Sequence, residues 1–296
     1  MIFAERLKEL RTAAGLSQEK LAERLGVSRQ VITKWETDRG TPDMENLMAL
    51  AHTFDLSLDE LVSGSGHKPH ADHLYDSATE YDIGDSKRFD IKLGRARSIE
   101  VAGYEGEKIR IRLSSDTIDT LQSDFKIKVD DNRGRLDVEL TRRKGVAEAT
   151  ARDGLDVIVQ LPQKYVSHVE LKAVAGELIV RDLECEDLEF GGKVEEVLID
   201  GFSGSLDLNC NLDMKIDCRS IKGALDINQM SAISRVTVPA DMAVAVRSRG
   251  IGNSVYFERG GERTEDFSNP GAETFIDLNG IKSELFVCTE DRRPRM

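Results

Sequence analysis

The spacing of apolar residues changes once along this chain, and that change limits the fold more than any other feature. Up to about residue 62 the period is helical: Phe3, Leu7 and Leu10 fall at i, i+4 and i+7, followed by Leu21, Ala22 and Leu25, and later by Leu47, Leu50, Ala51 and Phe54. From residue 87 the period is two, as in RFDIKL (88–93), KIRIRL (108–113), FKIKV (125–129), RLDVEL (135–140) and LDVIVQL (155–161). A period of 3.6 buries one stripe of a helix and a period of two buries one face of a strand, so the chain reads as multidomain, α followed by all-β.

Capping residues set the helix ends. Ser17 and Ser28 stand where helices start, Thr41-Pro42 fits a cap followed by a first-turn proline, and Ser57 with Glu60 is a capping-box pair. These signals predict five helices, at about 3–14, 17–24, 28–36, 43–54 and 57–62. Residues 63–86, SGSGHKPHADHLYDSATEYDIGDS, lose the apolar period and read as a linker. The expected organisation is a helical domain over 1–62, the linker, a β domain over 87–290 and a short tail over 291–296.

Within the β half, apolar pairs separated by one residue recur at Val169/Leu171, Leu178/Val180, Leu188/Phe190, Val197/Ile199, Leu206/Leu208, Met214/Ile216 and Leu225/Ile227. The steps between them are 9, 10, 9, 9, 8 and 11 residues. Short strands at so regular a spacing suggest a β-solenoid, in which one rung buries its pair against the next because a single rung has no core of its own. A β-sandwich is the alternative. The stretch Ile216–Leu225 also aligns directly with Ile276–Leu285.

The formal net charge is −13, and even residues 1–62 hold 8 Lys/Arg against 11 Asp/Glu. Indiscriminate coating of nucleic acid needs a positive surface, so any such binding must be confined to a local patch. Cys185, Cys210, Cys218 and Cys288 lack a C-x-x-C spacing and read as reduced thiols. The N-terminus MIFAERLKELRT is charged within five residues, and no apolar run approaches a membrane span of about 20 residues. A cytoplasmic protein with no membrane partner is expected.

The patch is sought between residues 17 and 40. Ala22 is small where two helices would cross, Gly26 allows a turn at positive φ, and Leu21, Leu25, Val27, Ile32 and Trp35 supply buried contacts on both sides of that turn. Arg29, Gln30, Thr33 and Lys34 fall at i, i+1, i+4 and i+5, on one side of the helix around 28–36. Arg and Lys donate to guanine O6 and N7, Gln pairs with adenine N6 and N7, and the Thr methyl touches thymine, so these four are candidate base readers. Ser17 and Gln18 at one helix start, Ser28 at the next and Arg39 beyond it are candidate phosphate contacts.

With these features together, the run GLSQEKLAERLGVSRQVITKWETDRGTPDMENLMALAHTFDLSLDEL resembles the DNA-binding domain of the phage repressor and Cro (Xre-type) regulators. The resemblance covers about a fifth of the chain. It implies a five-helix domain whose third helix enters the major groove, and an inter-helix ion pair that maps to Arg11 and Glu36. The C-terminal half resembles the adhesin-like β-solenoid domains of bacteria, through its repeats and short Gly-linked strands, and that resemblance brings no catalytic residues.

Three further groups have chemistry worth testing. His67, His70 and His73 could ligate zinc or nickel, although Pro69 interrupts them. Asp207 and Asp226 occupy matching places in SLDLN and ALDIN, where stacking would bring them about 5 Å apart; calcium or glycoside chemistry would use such a pair, and outward polar positions on strands are the ordinary case. Cys210 and Cys218 lie one step of the repeat apart and could sense redox state. The expected function is a non-enzymatic, sequence-specific transcriptional regulator without a cofactor. It would act as a repressor and a homodimer on an operator, and its β domain would supply dimerisation, sensing of a small-molecule or protein effector, or partner binding. The competing reading is an antitoxin-like or scaffold protein whose β domain binds a protein partner and whose DNA binding serves autoregulation.

Overall fold

The computed structural model of the chain describes residues 3–13, 16–37, 39–54 and 74–290. It divides into two compact units, with the boundary between His73 and Leu74. No helix among the described residues is long and apolar enough to cross a membrane.

The first unit contains α1 (Phe3–Ala13), α2 (Gln18–Leu25), α3 (Arg29–Glu36) and α4 (Met44–Phe54). The helix expected at 57–62 lies outside the described residues, as do His67, His70 and His73 and the tail at 291–296. The apolar stripes of the four helices meet in one core of Leu7, Leu16, Leu21, Ala22, Ile32, Trp35 and Leu50, each 8 % exposed or less.

The second unit contains fifteen strands joined in one sheet. In chain order these are β1 (Tyr75–Asp82), β2 (Lys87–Tyr104), β3 (Lys108–Ser115), β4 (Phe125–Asn132), β5 (Arg135–Arg142), β6 (Asp156–Pro162), β7 (Val166–Lys193), β8 (Glu196–Cys210), β9 (Met214–Met230), β10 (Ile233–Pro239), β11 (Val244–Ile251), β12 (Ser254–Arg259), β13 (Glu262–Thr264), β14 (Thr274–Ile281) and β15 (Glu284–Glu290). Two short helices, α5 (Leu121–Asp124) and α6 (Glu148–Gly154), interrupt a half whose sequence carries almost no helix signal. Leu121 and Ala151 are buried and belong to the β unit's core.

β1 falls inside the segment that reads as linker, so the β unit begins at Leu74 rather than at residue 87. Its residues alternate half-buried and exposed, and it pairs antiparallel with β3 from Tyr75–Ser115 to Asp82–Lys108. Its polar character hides the period in the sequence; across the pair, Arg110 holds Glu80 at 3.0 Å and Arg112 holds Asp76. Opposite charges facing across an edge pair let a polar strand form there.

The central strands run parallel and in register. Leu178 stands opposite Val197, Val197 opposite Ile216, Ile216 opposite Val236 and Val236 opposite Val287. A second inward row runs through Leu188, Leu206, Leu225 and Ile276, and all nine side chains are 2 % exposed or less. Leu178 and Val197 are 19 positions apart, as are Leu206 and Leu225, so two apolar pairs make one rung, one pair on each wall. At a bend between walls, Gly223 has φ 117°, and a Cβ there would lie 2.1 Å from the Gly204 carbonyl oxygen. Only glycine fits so close an approach of two backbones.

Two aspects of the stacking depart from the sequence repeat. Leu225 stands opposite Ile276 and not Leu285, so the aligned stretches 216–225 and 276–285 traverse the two walls in opposite order. The last rung in sequence is also not the last in space: β14 lies between β9 and β11, and β15 lies between β10 and β12.

The outward face of one wall carries a line of carboxylates. Glu189 stands opposite Asp207, Asp207 opposite Asp226 and Asp226 opposite Asp277. Burial, then the neighbouring charge of Asp226, with Asp187 adding to it, pushes the Asp207 carboxyl up to about 6. Its proton is held more tightly in the folded chain than in the unfolded one. Ionisation of Asp207 therefore costs stability progressively as pH rises from about 4 to about 6, and the cost is complete above that.

Two outcomes follow from the packing. Leu206→Ala, at 0 % exposure, is expected to lower the stability of the β unit by about 3 kcal/mol, read as a fall in urea midpoint at unchanged slope. Asp207→Asn is expected to raise the melting temperature by about 2–4 °C at pH 7.5 and to leave it unchanged at pH 4, read by far-UV circular dichroism.

Candidate nucleic-acid interface

α2 and α3 are set by their ends. Ser17, in extended conformation (φ −74°, ψ 158°), caps α2: its Oγ accepts from the Lys20 N–H at 3.1 Å. Gly26 closes α2 at φ 67°, and the next N–H, of Val27, donates to the Ala22 carbonyl at 3.0 Å. The left-handed residue turns the chain sharply enough for α3 to start three positions later, at Arg29. Ser28 takes the N-cap place of α3 with no hydrogen bond from its hydroxyl, which leaves that group exposed.

Inside the turn, Ile32 and Trp35 are 0 % and 5 % exposed and lock α3 against Leu21 and Ala22. Glu36, also buried, closes the network. Arg11 of α1 donates Nε to Glu36 Oε1 at 2.5 Å and Nη2 to Oε2 at 3.1 Å, while its Nη1 donates to the Leu16 carbonyl at 2.8 Å. The hydrogen bond from Arg11 to Glu36 raises the guanidinium further above its ordinary range. Gln18 Nε2 donates to Glu36 Oε2 at 2.8 Å, and Thr33 Oγ1 stands 3.2 Å from Gln18 Oε1. A single chain of contacts thus ties α1, α2 and α3 together.

The outer side of α3 presents Arg29, Gln30, Thr33 and Lys34, all exposed, and Arg39 follows it, also exposed. Among the described residues Arg29, Lys34 and Arg39 form no ion pair. Lys20 and Arg24 on α2 are exposed as well. The acid-rich composition of this unit is therefore not spread evenly: Glu36 is neutralised inside, and a group of cations stands beside the turn.

Two candidate contacts have partners within the domain. The Gln18 carboxamide is half-buried and engaged at both ends, by Glu36 and Thr33, so it is not a free arm. Thr33 holds Gln18 and the Arg29 carbonyl (3.1 Å) with its hydroxyl, which leaves its methyl as the outward group. The sequence does not signal this coupling, because Gln18 and Thr33 are 15 residues apart.

Residues 7–61 match the helix-turn-helix family. The N-terminal unit is a helix-turn-helix domain. Over 64 residues it is 50 % identical to the HTH-type transcriptional activator BcrR of Enterococcus faecalis, covering 22 % of this chain and 31 % of that protein. Over 61 residues it is 38 % identical to the cryptic phage CTXphi transcriptional repressor RstR of Vibrio cholerae, covering 21 % of this chain and 54 % of that one. The chain thus spans between a third and about half of these relatives. Among solved structures, the P22 c2 repressor in complex with a synthetic operator is 32 % identical, covers 22 % of this chain and 98 % of that one, and has a TM-score of 0.22. A Clostridium sporogenes structure named for cell adhesion covers 73 % of this chain at 13 % identity and a TM-score of 0.41.

Outside the helix-turn-helix domain, the cysteines offer no paired thiols. Cys210 stands opposite Gly192 and Cys218 opposite Ile199, and all four cysteines are free and buried. Burial pushes the Cys185 and Cys218 thiols up to about 12, which removes the thiolate that redox chemistry requires.

Trp35 is the chain's one tryptophan, so its fluorescence reports the helical unit. Glu36→Ala would leave Arg11 buried without its counter-charge, and it is expected to destabilise that unit by about 3 kcal/mol in a fluorescence-monitored urea titration.

Proposed function

We propose that the chain is a DNA-binding transcriptional regulator that acts by repression, with α3 lying in the major groove. The observation that carries this reading is the division of α3 into two sides. One is fixed by Ile32, Trp35 and the Arg11–Glu36–Gln18 network, and the other is exposed around Arg29, Gln30 and Lys34, which form no ion pair among the described residues. A reading helix must be held rigidly, because base contacts depend on donors placed within a few tenths of an ångström of base edges.

In this reading Arg29, Gln30 and Lys34 take hydrogen bonds to bases and the Thr33 methyl packs on thymine. The Ser17 and Ser28 hydroxyls and Arg39 hold phosphates. Gln18 keeps a part in phosphate contact through its backbone N–H at the start of α2. Two copies on a near-palindrome would multiply the specificity of one short helix, with half-sites about 34 Å apart. The parallel, in-register stacking of the second unit supports its reading as a β-solenoid, which would supply the contact between copies or hold an effector. The names of the relatives, an activator and a repressor, support regulation in either sense, and repression follows when the bound site overlaps a promoter.

Selection of bound DNA from a random pool tests this reading. Arg29→Ala is expected to lower affinity for the selected site by about tenfold to a hundredfold and to relax preference at one base position. Arg39→Ala is expected to weaken all sequences alike and to flatten the slope of log K against log salt by about one. A salt slope near zero for the unaltered chain, or unchanged base preference in Arg29→Ala, would refute it.

A further inference from the structure

The carboxylate line on the outer wall of the β unit is unlike the other acidic positions of that face. On the rungs before it, acids are matched by cations: Arg135 holds Asp90 and Asp137, and Lys172 holds Glu170. Along Asp187, Glu189, Asp207, Asp226 and Asp277 no lysine or arginine comes within ion-pairing distance among the described residues. These five therefore form a strip of negative charge without a direct ion pair that crosses four neighbouring strand segments, and the cations nearest to it, Lys172 beside Glu189 and Arg249 beside Asp226, act on it only at longer range.

A second observation points to an occupant. Asp277, directly opposite Asp226 in register, is only 6 % exposed, and its Oδ1 is buried with no hydrogen-bond partner. A buried carboxylate oxygen without a partner carries a desolvation cost that a donor in the strip would remove. Arg247, its neighbour on β11, does not meet that need: its guanidinium lies 4.2 Å over the Phe275 ring instead.

The walls of the strip narrow the choice of cation. On one side runs a row of asparagines: Asn209 donates to Glu189 at 2.8 Å, Asn228 to Asn209 at 2.8 Å, and Asn279 to Asp226 at 3.1 Å. On the other side, two positions earlier on the same strands, stand Ser205, Ala224 and Phe275, small or apolar groups in register with one another. The strip begins at a cavity of about 260 Å³ that Asp187 and Glu189 help to line. Among the described residues no three acidic, cysteine or histidine groups converge on one point, as the oxygen shell of a single metal ion demands. The charges stand instead in a row, one strand spacing apart, about 4.8 Å.

We propose that this strip binds a linear polyamine, a chain of ammonium groups separated by three or four methylenes. Such a ligand repeats its charge at about the strand spacing. Its ammonium groups meet Asp207 and Asp226 and draw the Asp277 carboxylate, whose Oδ1 lacks a partner, toward the strip, and its methylenes lie along Ser205 and Ala224. The site belongs to the β unit and does not depend on the DNA-binding reading. Occupation neutralises neighbouring carboxylates, among which burial first and the charge of Asp226 second already push the Asp207 carboxyl up to about 6.

Isothermal titration of the full-length chain with spermidine, at pH 7.5, low ionic strength and without DNA, tests the proposal. One saturable site is expected, with affinity reduced at least about tenfold in Asp207→Asn/Asp226→Asn and unchanged in Asp217→Asn, which alters an exposed acid paired with Arg219 outside the strip. The asparagine replacements are isosteric and relieve repulsion, and far-UV circular dichroism verifies their fold. Any of three results would overturn the proposal: no saturable heat, equal binding by the double variant, or magnesium chloride binding as tightly as spermidine with the same dependence on Asp226.

Discussion

The second unit depends on one constraint, the in-register stacking of inward apolar side chains on parallel strands. A slip of one residue would turn Leu206 and Leu225 outward and bring Asp207 and Asp226 into the core. Register is thus fixed by the cost of burying carboxylates as much as by the gain from burying leucines. The same register that builds the core necessarily lines up the outward residues, so like charges meet like charges along the sheet. The strip from Glu189 to Asp277 is a by-product of a repeat whose inner face leaves no freedom to its outer face.

In the first unit, Glu36 has the corresponding role. It is buried, and it accepts from Arg11 on one helix and Gln18 on another, so three helices are held by one carboxylate. A buried ion pair adds little to stability compared with an apolar replacement, but it holds particular donors and acceptors in one arrangement. That arrangement orients the outer side of α3. In a unit rich in acids, Lys20, Arg24, Arg29, Lys34 and Arg39 stand exposed around this turn.

Much of this was legible in the sequence. The helical period gave α1 to α4, Gly26 marked the turn, and the paired apolar positions from Val169 to Ile227 are the inward residues of the rungs, since alternation reports directly which side of a strand is buried. The matching of Asp207 with Asp226 could be read from SLDLN and ALDIN because both segments recur at rung spacing. β1 was not legible: its half-exposed, polar strand has no apolar alternation, and it exists because Arg110 and Arg112 face it.

The sequence by itself determined where each period begins, which residues face inward, and which four side chains stand on the outer side of α3, because those properties depend on local spacing alone. Only the tertiary structure decided the order of the final rungs, with β14 and β15 lying inside β11 and β12, since apolar rungs of similar pattern can stack in more than one order. It also decided that Gln18 is tied to Glu36 and Thr33, and that Asp277 joins the line begun by Asp207 and Asp226. Each of these joins residues distant in sequence, and spacing carries no information about which distant surfaces will meet.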